Sequence, residues 1–198
     1  MQVRLWDVIS LPVPNRFAEI EGAVRSFQWR PEVQVAEIIS PQRLAPYSIA
    51  LEADVVPRGD EALAFGRLVI LHNPEGDDIW GGTTRFVSYG QAEVEFEMAA
   101  DPMLADVAWS WLLDSLRHTG ADHRAASGTV TAMTSRSFGR LDTPQRAEIE
   151  MRCSWTAVDD DAYTPHIAAW QDFLCQLAGL EPLVEGVTSL GRRSWSTP

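Results

Sequence analysis

The side chains able to do chemistry fall into a few groups along the chain. His72 stands just before Asp77 and Asp78, and a His–Asp pair beside a turn could act as a base or a metal ligand. The segment Trp80-Gly81-Gly82-Thr83-Thr84-Arg85 follows, where two glycines allow close backbone approach. Trp80 and Arg85 could there stack on or clamp a planar or carboxylate group. Glu93, Glu95 and Glu97 alternate with Val94, Phe96 and Met98, so an extended chain would set the three carboxylates in a row about 6.8 Å apart. Desolvation of such a row would raise a carboxyl pKa and suit acid–base work or a cation. His118, Asp122 and His123 follow a helical pattern, and His166 has no evident companion.

Each group also has a plainer reading. Solvent and neighbouring arginines can neutralise a glutamate row, Asp77-Asp78 is ordinary turn chemistry, and a histidine near a helix C-terminus suits the dipole without any metal. Sixteen cationic residues are all arginine, with no lysine, which excludes a lysine Schiff base and a lysine on a nucleotide phosphate. No G-x-S-x-G elbow, phosphate loop, G-x-G-x-x-G or H-E-x-x-H motif is present. No catalytic residue, metal or cofactor is therefore expected. A net charge of −12 disfavours nucleic acid and anionic membranes. Cys153 and Cys175 form no CxxC pair and are expected as small apolar core residues. Arg4, Asp7 and Pro12 interrupt the start before any hydrophobic stretch develops, so a soluble, cytoplasmic protein is expected.

These residues must be carried by a scaffold that the hydrophobic patterning outlines. Residues 1–14 read as an arm, 15–180 as a single domain and 181–198 as a loose tail. Asn15 caps a helix with the stripe Phe17, Ile20, Val24 and Phe27, broken at Pro31. Val33–Ile39 and Ser48–Val56 read as strands, the second alternating cleanly through Ile49, Leu51, Ala53 and Val55. Phe65–His72 is apolar on both faces and reads as a central strand covered on both sides. Asn73–Asp78 reads as a turn and Phe86–Met98 as a fourth strand. A helix over Asp101–Arg117, stopped by Gly120, precedes strands at Thr129–Thr134 and Glu148–Thr156, joined by the loop Gly139–Gln145. The last helix runs from Thr164-Pro165 to Gly179, with Leu180 closing a Schellman cap. The fold class is α+β: an antiparallel sheet of about five to six strands with three helices packed on it, in the order α-β-β-β-β-α-β-β-α.

The Asp101–Arg117 helix carries too much apolar surface for one contact. Trp109 and Trp111 lie roughly 200° apart around it, so they cannot share a face. Either the helix is covered on two sides by its own chain, or it presents an interface made by Trp109, Leu113 and Leu116.

Several stretches, taken together, are specific: Pro41-Gln42-Arg43-Leu44-Ala45-Pro46-Tyr47, Gly66-Arg67-Leu68-Val69-Ile70-Leu71-His72, Glu97–Pro102 with Trp109-Ser110-Trp111-Leu112, Gly128-Thr129-Val130-Thr131 and Ser154-Trp155-Thr156. Over about residues 16–180 the chain resembles an actinobacterial family catalogued as domain of unknown function three thousand. The resemblance implies an intracellular protein and carries no catalytic residues. The element order and acidity are also similar to those of small dimeric secretion chaperones, which have one strand fewer. The expectation is thus a non-enzymatic protein-binding, adaptor or chaperone-like module. It acts as a homodimer through the second helix or an exposed sheet edge, with itself or another protein as partner. The alternative is a small-molecule-binding protein or enzyme whose site gathers His72, Trp80, Arg85 and the glutamates Glu93, Glu95 and Glu97.

Overall fold

A computed structural model of the chain describes residues 15–181 except 42, 58–60, 142 and 159–161. The expected arm, and the tail beyond its first residue, lie outside the described residues. Chain order is α1 (Asn15–Ser26), β1 (Val33–Ile38), β2 (Tyr47–Val55), β3 (Ala64–Asp77), β4 (Gly82–Glu93), α2 (Phe96–Ala99), α3 (Leu104–His118), β5 (His123–Ser135), β6 (Arg146–Ala157) and α4 (Tyr163–Leu177). The strands form one antiparallel sheet in the order β1-β2-β3-β4-β6-β5. The fold is therefore α+β, as its alternating strands and striped helices dictate.

Register decides which side chains meet the helices. Ile49, Leu51, Ala53 and Val55 of β2 share a face with Leu68 and Ile70 of β3, Phe86 of β4 and Met151, Cys153 and Trp155 of β6. All of these are buried in one core with Ile20 of α1, Leu112 and Leu116 of α3, and Ile167, Trp170 and Leu174 of α4. Gly66 and Gly90, directly paired, make room for α4: a Cβ at Gly66 would lie 2.5 Å from Leu174, and one at Gly90 2.7 Å from Leu177. The buried indoles are satisfied, Trp155 donating to His166 Nδ1 and Trp170 to Ser88 Oγ, each at 3.1 Å. At the end of α4, Gly179 has φ 71°, its N–H donates to the Gln176 carbonyl, and the Leu180 N–H donates to Cys175. That is the expected Schellman closure, and Gly120 and Ala121 repeat it after α3.

Three expectations need correction. First, β3 is not covered on both sides. Its helix-facing residues are buried, but on the other face Arg67 is exposed and Phe65 and Val69 are half-buried, with Leu71 beside Arg85 the one buried there, because α1, α3 and α4 lie on one side of the sheet. Second, Asn73–Asp78 does not end the strand. The Asn73 amide bonds to Gly76 O and the Glu75 N–H, making a bulge inside β3 between His72 and Asp77. The reversal comes later, where Asp77 Oδ1 accepts from the Ile79 and Trp80 N–H groups. Third, β4 does not reach Met98. Its partner β6 begins at Arg146, and Val94, bonded to the Ala147 carbonyl, is the last residue with a neighbour. Beyond it Phe96–Ala99, a run of helix-tolerant residues, closes into α2.

Candidate functional site

Of the residues singled out from the sequence, Trp80 and Arg85 share a partner in Thr156, while His72 and the glutamates lie apart from them. His72 pairs with Thr84 across β3 and β4, on the helix side, and its Nδ1 lies 2.9 Å from Thr84 Oγ1. Phe17 stacks on the imidazole at 6.2 Å. Burial in this apolar wall, with Arg16 adding to it, holds the His72 pKa below 6.5, so the ring is neutral near pH 7. Arg85 is the next residue along β4 and therefore points out of the opposite face. Trp80 is half-buried in the hairpin turn, its carbonyl accepting from Thr156 Oγ1 at 2.7 Å. Glu93 ends β4, about 26 Å along the strand from Arg85 at about 3.3 Å per residue. Glu95 and Glu97 lie in the turn into α2 and within it, so the carboxylate row does not form. His123 is half-buried with its Nδ1 on the Ala121 carbonyl, and His118 is exposed. No group of three His, Cys, Asp or Glu fit to hold a metal forms among the described residues.

The expected interface residues divide. Leu116 is 0% exposed in the core and cannot contact a partner. Leu113 is half-buried. Trp109 is half-buried over β5, its Cζ3 only 2.9 Å from where a Cβ on Gly128 would stand. Trp111 packs against the core from another side of α3, so the helix is covered on two sides by its own chain. What α3 leaves open is Met103 and Val107, 57% and 41% exposed.

Arg85 does sit in a defined setting. Register brings Arg67, Tyr89 and Arg152 into one row across the open face, and Val69, Val87, Ser154 and Ser127 into the next. Arg85 and Thr156 belong to the third. Arg85 as a whole residue is buried at the end of this row. Its Nη1 donates to the Ala125 carbonyl and Thr156 Oγ1, and its Nη2 to Ser154 Oγ at 2.7 Å and Ser127 Oγ at 3.2 Å. Between the rows lies a shallow groove of about 570 Å³. Sequence reading named Arg85 but missed Ser127, Ser154 and the arginines beside them. Their only common signal is parity along three separate strands.

The family model described as "Protein of unknown function (DUF3000)" matches residues 13–188. This chain belongs to that family. No curated protein and no solved structure matches the DUF3000 chain. Among its described residues, no helix is long and apolar enough to cross a membrane.

Proposed function

We propose that this DUF3000 protein is a binding or adaptor module that works as a homodimer, joined along the free edge of β5. The observation that carries the reading is the state of that edge. β5 is 13 residues long and, among the described residues, pairs with β6 on one side only. No residue from Ala125 to Ser135 is charged or proline. Edge strands are ordinarily guarded by charge, proline, brevity or a bulge, since an open ladder recruits another strand. The opposite edge is guarded in this way: β1 has 6 residues, carries Glu37 and starts two residues after Pro31. On β5 the one irregularity, between Arg124 and Ser127, leaves Ser127–Ser135 in continuous register with β6.

A second copy is the occupant that this chemistry favours. Antiparallel self-pairing about a twofold axis sets a strand against itself, and any charge near the axis would face its own copy. An uncharged strand escapes that repulsion. One open edge per chain also closes at two chains and gives no fibre. A strand pair alone is small beside a standard interface of about 1,600 Å², so flanking apolar area is required. Helices α2 and α3 both touch β5, and with the turn between them they leave Phe96, Met98, Met103 and Val107 exposed.

The test is the mass in solution. The wild-type protein is expected to scatter light as a dimer at micromolar concentration. Thr131→Lys/Thr134→Lys, at two exposed positions on opposite faces of β5, is expected to give a monomer with an unchanged far-UV spectrum. A wild-type monomer at high micromolar concentration overturns the reading.

A further inference from the structure

Behind the serines that line the groove on the open face stands a cation, Arg85, that meets no carboxylate among the described residues. Arg85 is 9% exposed, and all four of its bonds go to neutral oxygens. Arg67 is paired with Glu52 at 2.8 Å and Arg152 with Glu150, whereas Arg85 meets no carboxylate among the described residues. A buried ion without a counter-charge is costly, and an anion brought beside it recovers part of that cost. The serines determine how such an anion would be received. Ser127 and Ser154 line the groove and accept from the guanidinium, which leaves each hydroxyl proton free to donate. Their oxygens are 3.4 Å apart, too long to satisfy one another well. Two O–H donors backed by a buried cation form an anion cradle. Beside it Val69 and the 37%-exposed Val87 form an apolar floor at the centre of the sheet.

We infer that this groove binds a small amphipathic anion. A carboxylate or phosphate head is received by the Ser127 and Ser154 hydroxyls in front of Arg85, and its apolar body lies on Val69 and Val87. The volume suits a ligand of that size. Specificity lies in the combination: the apolar floor gives little to a bare inorganic ion, and the cradle gives little to a neutral chain.

Calorimetric titration of the full chain with octanoate, octyl phosphate, 1-octanol and inorganic phosphate tests this. Octanoate or octyl phosphate is expected to bind at least about tenfold more tightly than either octanol or inorganic phosphate. The better of the two identifies the head group. Octanol binding as well as both amphiphiles, inorganic phosphate doing so, or no amphiphile binding at all each overturns the inference. Arg85→Gln is expected to abolish the preference for an anion, but it removes a buried network. Ser127→Ala, which removes the longer of the two Nη2 contacts and leaves Ser154, Thr156 and the Ala125 carbonyl on the guanidinium, is therefore the second variant, expected to weaken the amphiphile about tenfold. Unchanged affinity in that variant overturns the cradle. The lysine substitutions in β5 do not line the groove, so this result and the dimer result are independent.

Discussion

His72 and Arg85 occupy adjoining strands, yet one is locked neutral in the core and the other is held charged on the far side of the sheet. Side-chain direction alternates along a strand, so a single step in register separates a residue of the helix-covered wall from one on the open face. The consequence for His72 is measurable. Its folded pKa lies below 6.5 through burial and Arg16, so the unfolded chain takes up a proton first as the pH falls. Its contribution is therefore fully present above pH 6.5 and is lost as the pH drops through the lower folded value. Urea unfolding across this range should show stability falling with acid by at most about 1.4 kcal/mol per pH unit from this residue, and His72→Gln should flatten that slope. An identical slope in the variant would show that His72 does not carry it. The thiols follow the same logic. Burial raises Cys153 to about 12 and Cys175 to about 11, so neither should react with a thiol reagent at pH 8 until the protein unfolds. Rapid labelling of the folded protein would contradict their placement.

At the scale of elements, the contact between α3 and β5 depends on Gly128. A Cβ there would stand 2.5 Å from the Arg152 carbonyl, which is backbone, and 2.9 Å from the Trp109 ring. Gly128→Ala should therefore cost about 1–3 kcal/mol in urea unfolding, more than the same change at Gly22, which has open space around it. Equal stabilities would mean that the ring does not rest on the strand. How far such elements can be read from sequence depends on whether the signal is local. Alternation at Ile49–Val55 and Ile149–Trp155 and the stripe Ile167-Trp170-Leu174 mark real elements, and Gly179-Leu180 marks a real cap, because each depends on near neighbours. Glu93–Met98 also alternates, yet it leaves the sheet where β6 no longer supplies a partner, and no local pattern records the length of a distant strand. The groove is hidden for the same reason. Arg67, Arg85 and Arg152 share a face only through the pairings of β3 with β4 and β4 with β6.

At the scale of the whole molecule, the described helices longer than a single turn lie on one side of a six-stranded sheet, which leaves a face and an edge among the described residues to be explained. The face carries the groove. The edge is uncharged from Ala125 to Ser135 in a chain of net charge −12, so acidity is spread elsewhere and does not guard it. Hydrogen exchange of the Val130–Thr134 amides, followed against protein concentration, tests the proposed dimer most directly. Amides facing β6 should stay slow throughout. Those facing outward should be slow at high micromolar concentration and become fast on dilution, in step with the loss of the dimer mass. Outward amides that exchange fast at every concentration, in a protein with the mass of a single chain, would contradict the account.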